Sequence, residues 1–175
     1  MRLLQIECIK PGVSGSAQMK DEYFVEHEIL EREDLMGFFL DAVRHFVIKQ
    51  TLQMLPDKQK EILNDEWYTQ MFSMWIVSQK DNEYQPLHSH LKFHTSAVMY
   101  LKIPEYLPSR NSTQNQDGTI TFISNAVKDQ IWGSPFMTLQ PAVGDFYIFP
   151  GSQQHLVYSF RTADGKGERR SVSYN

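Results

Sequence analysis

A single cysteine, Cys8, is present, which excludes an internal disulfide and fits a reducing compartment. No run approaches the roughly 18 apolar residues that a membrane helix needs. The first ten residues, MRLLQIECIK, are interrupted by Glu7 and do not read as a signal peptide. These absences point to a cytoplasmic chain that no membrane holds. No Pro/Gly/Ser-rich linker and no internal repeat divides the 175 residues, so a single domain over 1–175 is expected. The formal charge of −4 carries no basic stripe of the kind that nucleic acid requires, so no nucleic-acid partner is expected. With 41% hydrophobic and 13% aromatic residues, the chain has enough apolar surface for a sizeable core.

The apolar residues change period along the chain. Residues 3–9 alternate loosely as a strand, closed by Pro11-Gly12 and the small residues 14–17, and 23–26 is a second short strand. Over 34–55 the spacing is helical. Met36, Phe39, Leu40, Val43, Phe46, Val47 and Met54 form one stripe, Asp34 is the expected N-cap, and Gly37 weakens the helix without breaking it. A short helix follows over 57–64. Residues 67–77, rich in aromatic and β-forming side chains, read as a strand or strand pair. Further strands are expected at 96–103, 119–124, 136–139, 146–149 and 169–175, with turns at Gly144-Asp145 and 164–167. Residues 108–118 form a polar loop of the kind that often faces a substrate. Many short strands after one long helix predict a mainly β (α+β) fold, a sandwich or barrel with an N-terminal helix packed outside.

The chemistry concentrates in two segments. PLHSHLKFH places His88 and His90 two residues apart, on one side of a strand because side chains alternate with period 2. Both imidazoles can face one metal ion, and His155, in GDFYIFPGSQQH, supplies a third ligand. Imidazole suits Fe, Zn, Cu or Ni, so ligand type alone does not identify the metal. His94 shares the strand spacing but has no partner of its own and is assigned a supporting role; His27 and His45 read as structural. In the last strand Arg169, Ser171 and Ser173 share one face, with Val172 and Tyr174 on the other. An inward Arg169 would clamp a carboxylate with two parallel hydrogen bonds; on a solvated edge strand it would do nothing of the kind.

HSHLKFHTSAVMYLKIPE, DGTITF, LQPAVGDFYIFPGSQQH and RRSVSYN, taken in order, resemble the 2-oxoglutarate/Fe(II) oxygenases, in the variant with His-x-His where most relatives have His-x-Asp. The resemblance covers about residues 75–175; residues 1–74 would supply the outer helix and flanking strands. It implies a double-stranded β-helix (jelly-roll, cupin-like) barrel and a dioxygenase with Fe(II) and 2-oxoglutarate as cofactors, O₂ as cosubstrate and a C–H bond to hydroxylate. It further implies His88, His90 and His155 as metal ligands, with His90 at the usual carboxylate position. Arg169 and Ser171 would bind the distal carboxylate of 2-oxoglutarate, and Tyr100 would touch the same group. The Trp132-Gly133-Ser134 segment and the polar loop are candidate substrate contacts by position. Two other readings compete: a cupin-type metal-dependent dioxygenase or isomerase without 2-oxoglutarate, with three histidine ligands or with His94 as a fourth and no need for Arg169, and a non-catalytic binding module.

Overall fold

The computed structural model describes residues 21–108, 115–123 and 135–175. The expected strand at 3–9, the turn and small residues at 11–17, Cys8, the centre of the polar loop at 109–114 and the segment at 132–134 lie outside the described residues.

The described strands form two antiparallel sheets. The larger has the order β1 (Glu22–Phe24), β2 (Met74–Lys80), β9 (Glu168–Tyr174), β4 (Thr95–Lys102), β7 (Phe146–Pro150). The smaller has the order β3 (Gln85–His88), β8 (His155–Val157), β5 (Ile120–Ile123), β6 (Phe136–Leu139). Apart from β1–β2 and β5–β6, consecutive strands fall in opposite sheets, as in a jelly roll. Among the described residues no strand pairs across from one sheet to the other, so the expected barrel is here two facing sheets. The expectation at 67–77 shrinks to β2. Residues 65–73 run without regular structure, and at their end Phe72 N–H donates to Asn175 O at 2.8 Å and Asn175 N–H to Ser73 O at 3.0 Å.

Alternation along the larger sheet sets both layers of the core. On one face Met74, Ala97, Val172 and Tyr174 are buried beneath Leu30 of helix α1 (His27–Arg32) and Phe39 of helix α2 (Met36–Met54). On the other face Val98, Tyr100 and Phe149 meet Ile120, Phe122 and Val157 of the smaller sheet. The outer helix therefore packs as expected, with Tyr174 Oη donating to Phe39 O at 3.2 Å. A third helix, α3 (Gln59–Asn64), follows a 3₁₀ turn at Pro56–Lys58.

Two expectations about α2 need correction. Asp34 is not its N-cap. It sits in the left-handed region (φ 55°) two residues beyond the end of α1, just after the C-cap Glu33, where Leu35 N–H donates to Leu30 O at 2.8 Å and Asp34 N–H to Glu31 O at 3.1 Å. That pair of bonds is a Schellman closure, and aspartate is among the few residues that adopt its left-handed position readily. The signal read as a helix start is the stop of a helix that sequence reading missed. The stripe also ends early: Phe39 is buried and Met36, Leu40 and Val43 pack against the same core, whereas Met54 is 77% exposed. Phe39→Ala should therefore cost about 3–5 kcal/mol in urea unfolding, and Met54→Ala under about 0.5 kcal/mol. Equal costs would mean that the whole stripe is packed.

Candidate metal centre and anion pocket

The cross-strand pair His88–His155 joins β3 to β8. His90 lies two residues past His88, where the chain has left the strand, and its direction comes from a turn. His90 N–H donates to Gly151 O at 2.7 Å, Phe93 N–H to His90 O at 2.9 Å, and Gly151 N–H to His94 O at 2.9 Å. The backbones meet so closely that a Cβ on Gly151 would lie 2.1 Å from Phe93 O and 2.8 Å from His90 O. Only glycine fits there.

The three imidazoles then converge. Ring centroids are separated by 4.1 Å (His88–His155), 5.2 Å (His88–His90) and 5.4 Å (His90–His155), and one nitrogen from each lies within 4.8 Å of the others. His88 Nδ1 lies 2.8 Å from Pro86 O and His155 Nδ1 lies 3.0 Å from Gln153 O. A carbonyl only accepts, so each Nδ1 carries the proton and each Nε2 keeps its lone pair for a metal. Phe149 and Phe122 pack against the His155 ring at 4.8 and 5.8 Å. Burial, reinforced by the neighbouring imidazole of His88, pushes His90 and His155 down to about 4; burial also lowers His88, against the pull of its bond to Pro86 O. Neutral imidazoles are the ligating form, and this donor set fits Fe(II) and its neighbours in the first transition row.

His94 is not part of this cluster. It lines a groove beside α2 with Phe46, Val47 and Phe93, which removes the fourth ligand of the cupin reading. His45 bonds through Nδ1 to Asp41 O at 2.7 Å within α2, as a structural residue would.

The cavity that holds the imidazoles extends between the sheets and is also lined by Tyr100, Arg169, Ser171 and Ser173. β9 is thus an interior strand with its polar face inward, and the edge-strand reading of Arg169 is excluded. Arg169 is 3% exposed, with its guanidinium 5.4 Å from the Tyr100 ring centroid and 5.8 Å from that of Phe160. It donates through Nη1 to Gly118 O and through Nη2 to Gln79 Oε1. Among the described residues no carboxylate reaches it within ion-pair distance, and no Asp or Glu lines the cavity. Burial pushes the Tyr100 hydroxyl up to about 12 despite the opposing charge of Arg169, so Tyr100 is a neutral phenol.

Sequence reasoning missed three residues here. Gly151 carried a weak signal in Pro-Gly-Ser. Gly118 (φ 71°) leaves no room for a Cβ, which would lie 2.4 Å from the Tyr106 ring. Gln79 gave no signal at all.

Two outcomes follow for metal binding. The Co(II) affinity of the apoprotein, measured by equilibrium dialysis, should hold through 6.5 as pH is lowered from 8 and begin to fall only at more acidic pH, because all three imidazoles are shifted down and protons compete with the metal only below the lowered values. A fall starting near 6.5 would mark ordinary imidazoles. Gly151→Ala, by displacing the His90 turn, should weaken Co(II) binding at least about tenfold, or ~1.4 kcal/mol; unchanged binding would dissociate the turn from the site.

The family model described as "Putative 2OG-Fe(II) oxygenase" matches residues 73–175. Among solved structures, the chain is similar to a Pseudomonas putida prolyl-4-hydroxylase at 16% identity, over 91% of this chain and 74% of that one, with a TM-score of 0.49. It is also similar to a 2OG-Fe(II) oxygenase-family oxidoreductase from Burkholderia pseudomallei at 16% identity, over 72% of this chain, with a TM-score of 0.46. The match spans about half (54%) of the Burkholderia protein's length. A cupin domain from Bordetella pertussis matches at 13% identity, over 63% of this chain and 85% of that one, with a TM-score of 0.36. No curated protein matches in sequence. The family match begins one residue before β2 and takes in both sheets' inner strands, all three clustered histidines and Arg169: the chain belongs to the 2OG-Fe(II) oxygenases.

Proposed function

We propose that this chain is a non-haem Fe(II), 2-oxoglutarate-dependent dioxygenase that hydroxylates a C–H bond, built as one domain in which residues 75–175 carry the site and 1–74 the flanking strands and helices. The observation that carries this reading is the buried Arg169 cation, left without a carboxylate at one end of the cavity that gathers three neutral imidazoles at the other. A buried charge costs several kcal/mol unless it is paired. An anion taken up from solution offsets that cost, and a 2-oxo dicarboxylate can meet both ends of the cavity.

His88, His90 and His155 would hold the metal. Fe(II) bound there supplies the reaction of O₂ with 2-oxoglutarate, which yields succinate, CO₂ and the hydroxylated product. The chain's own residues position and shield. Arg169 offers its remaining N–H groups to the distal carboxylate as a planar fork. Ser171, two residues along the same inward face, adds a hydroxyl. Tyr100 packs under the guanidinium and, as a neutral phenol, can donate to the same carboxylate. The aromatic rings of Phe149 and Phe122 shield the His155 side of the cluster. Three neutral ligands leave the full divalent charge on the metal, so the cavity favours a dianionic cosubstrate more strongly than a site with one carboxylate ligand would.

Anaerobic titration of the Fe(II)-loaded protein with 2-oxoglutarate should give a saturable visible charge-transfer band. Arg169→Ala should raise its Kd by about tenfold or more, matching the ~1.5–3 kcal/mol of a hydrogen bond to a charged group, while iron stays bound. His155→Ala should lose the iron. A wild-type protein that holds iron and shows no band would sink the reading.

A further inference from the structure

Gln79 has no part in the family resemblance and touches neither the histidines nor any solvent. It lies on β2 directly across from Arg169 on β9, is 2% exposed, and lines the cavity beside Arg169. Its Nε2 donates to Glu83 O, in the turn between β2 and β3, and to Tyr158 O at 3.2 Å, just after β8. Two carbonyl acceptors fix which end of the amide is which, so Oε1 must face Arg169, from which it accepts a hydrogen bond. One side chain thereby ties the guanidinium to both sheets.

Its neutrality matters as much as its position. A carboxylate in the same place would pair with the buried cation and remove the need for an external anion. An amide oxygen directs the guanidinium without discharging it. Gly118 O does the same at Nη1, so both holders of Arg169 are uncharged acceptors. The side chain is pinned in one plane, keeps its charge, and keeps N–H groups unspent on the protein.

We infer that Gln79 is a positioning residue for the cosubstrate: it orients Arg169 and preserves the guanidinium's charge for the distal carboxylate of a 2-oxo dicarboxylic acid. This rests on the reading of Arg169 given above. Preorganisation of this kind strengthens binding by lowering the ordering cost of the clamp.

The test compares two 2-oxo acids on the Fe(II)-loaded protein by the charge-transfer band. 2-Oxoglutarate has the distal carboxylate; pyruvate offers the same chelating head without it. Gln79→Met, which keeps the volume and removes the hydrogen bonds, should raise the Kd for 2-oxoglutarate about tenfold and leave that for pyruvate unchanged. In an Arg169→Met background it should have no further effect on 2-oxoglutarate, because Gln79 acts through the arginine. Gln79→Glu should also weaken 2-oxoglutarate selectively, through charge competition, and so serves if the Met variant fails to fold. Equal loss for both acids, or an unchanged Kd for 2-oxoglutarate in a folded variant, would overturn the inference. A wild-type protein that binds 2-oxoglutarate no better than pyruvate would overturn the reading of Arg169 itself and the inference with it.

Discussion

The site depends on the strict alternation of one interior strand. β9 is hydrogen-bonded on both sides, to β2 and to β4, so its register cannot slip without breaking two ladders. Val172 and Tyr174 anchor it to the helix layer. That commitment forces Arg169, Ser171 and Ser173 into the space between the sheets. A polar inner face on a central strand is expensive, and it persists because the opposite face is held by a well-packed apolar core. The stability of the helix-covered side thus sustains the unfavourable burial that the cavity needs.

The same alternation keeps the cavity's charge from being cancelled. Glu168 is the nearest acidic residue to Arg169 in sequence, one position away, and therefore points to the other side of the strand. There it meets Lys102 at 2.9 Å, Arg170 at 2.8 Å and Lys80 at 3.3 Å, and accepts from Ser78. Burial works against its charge, yet these donors hold its carboxyl well below the usual range, so it stays ionised and occupied. Asp81 is likewise engaged, accepting from the Thr162 backbone at 2.6 Å and its hydroxyl at 2.9 Å, a latch between the β2–β3 turn and the segment leading into β9. Acidic groups surround the cavity in sequence, and among the described residues none lines it.

How much of this was legible in the sequence varied with the range of the interaction. The β-rich class, the outer helix, the division of β9 into a polar and an apolar face, and the choice of His88, His90 and His155 as one cluster all follow from periodicity and residue type. Which face of β9 points inward does not, and His90 reaches the cluster through a turn rather than the strand alternation expected of it. Asp34 misled because a left-handed aspartate ending one helix has the same composition as an N-cap starting the next. Met54 misled because the helical stripe is a property of α2 alone, whereas burial depends on what other elements pack against each of its turns. His94 shared the histidine spacing, yet the turn at Gly151 that aims His90 inward sends the chain away again before His94. Gln79 and Gly118 were invisible. Their contribution is an amide oxygen and a carbonyl placed against an arginine 90 and 51 positions away, and no local pattern encodes a pairing at that separation.

These distances have an electrostatic consequence. A divalent ion on three neutral imidazoles would put two positive charges at one end of the cavity, and Arg169 holds a third at the other. With neutral acceptors around the arginine and no acidic residue in the lining, nothing among the described residues offsets any of the three. In a weakly screened interior that repulsion opposes metal loading of the empty site, and a dianion spanning both ends relieves it. Metal and cosubstrate should therefore favour each other's binding, by the reciprocity that any such coupling must obey. A carboxylate at position 90 would remove one of the three charges and weaken that coupling. On the proposed reading, the histidine at that position would make the site more dependent on its cosubstrate, and the burial of Arg169 between uncharged partners would keep that dependence from being satisfied internally.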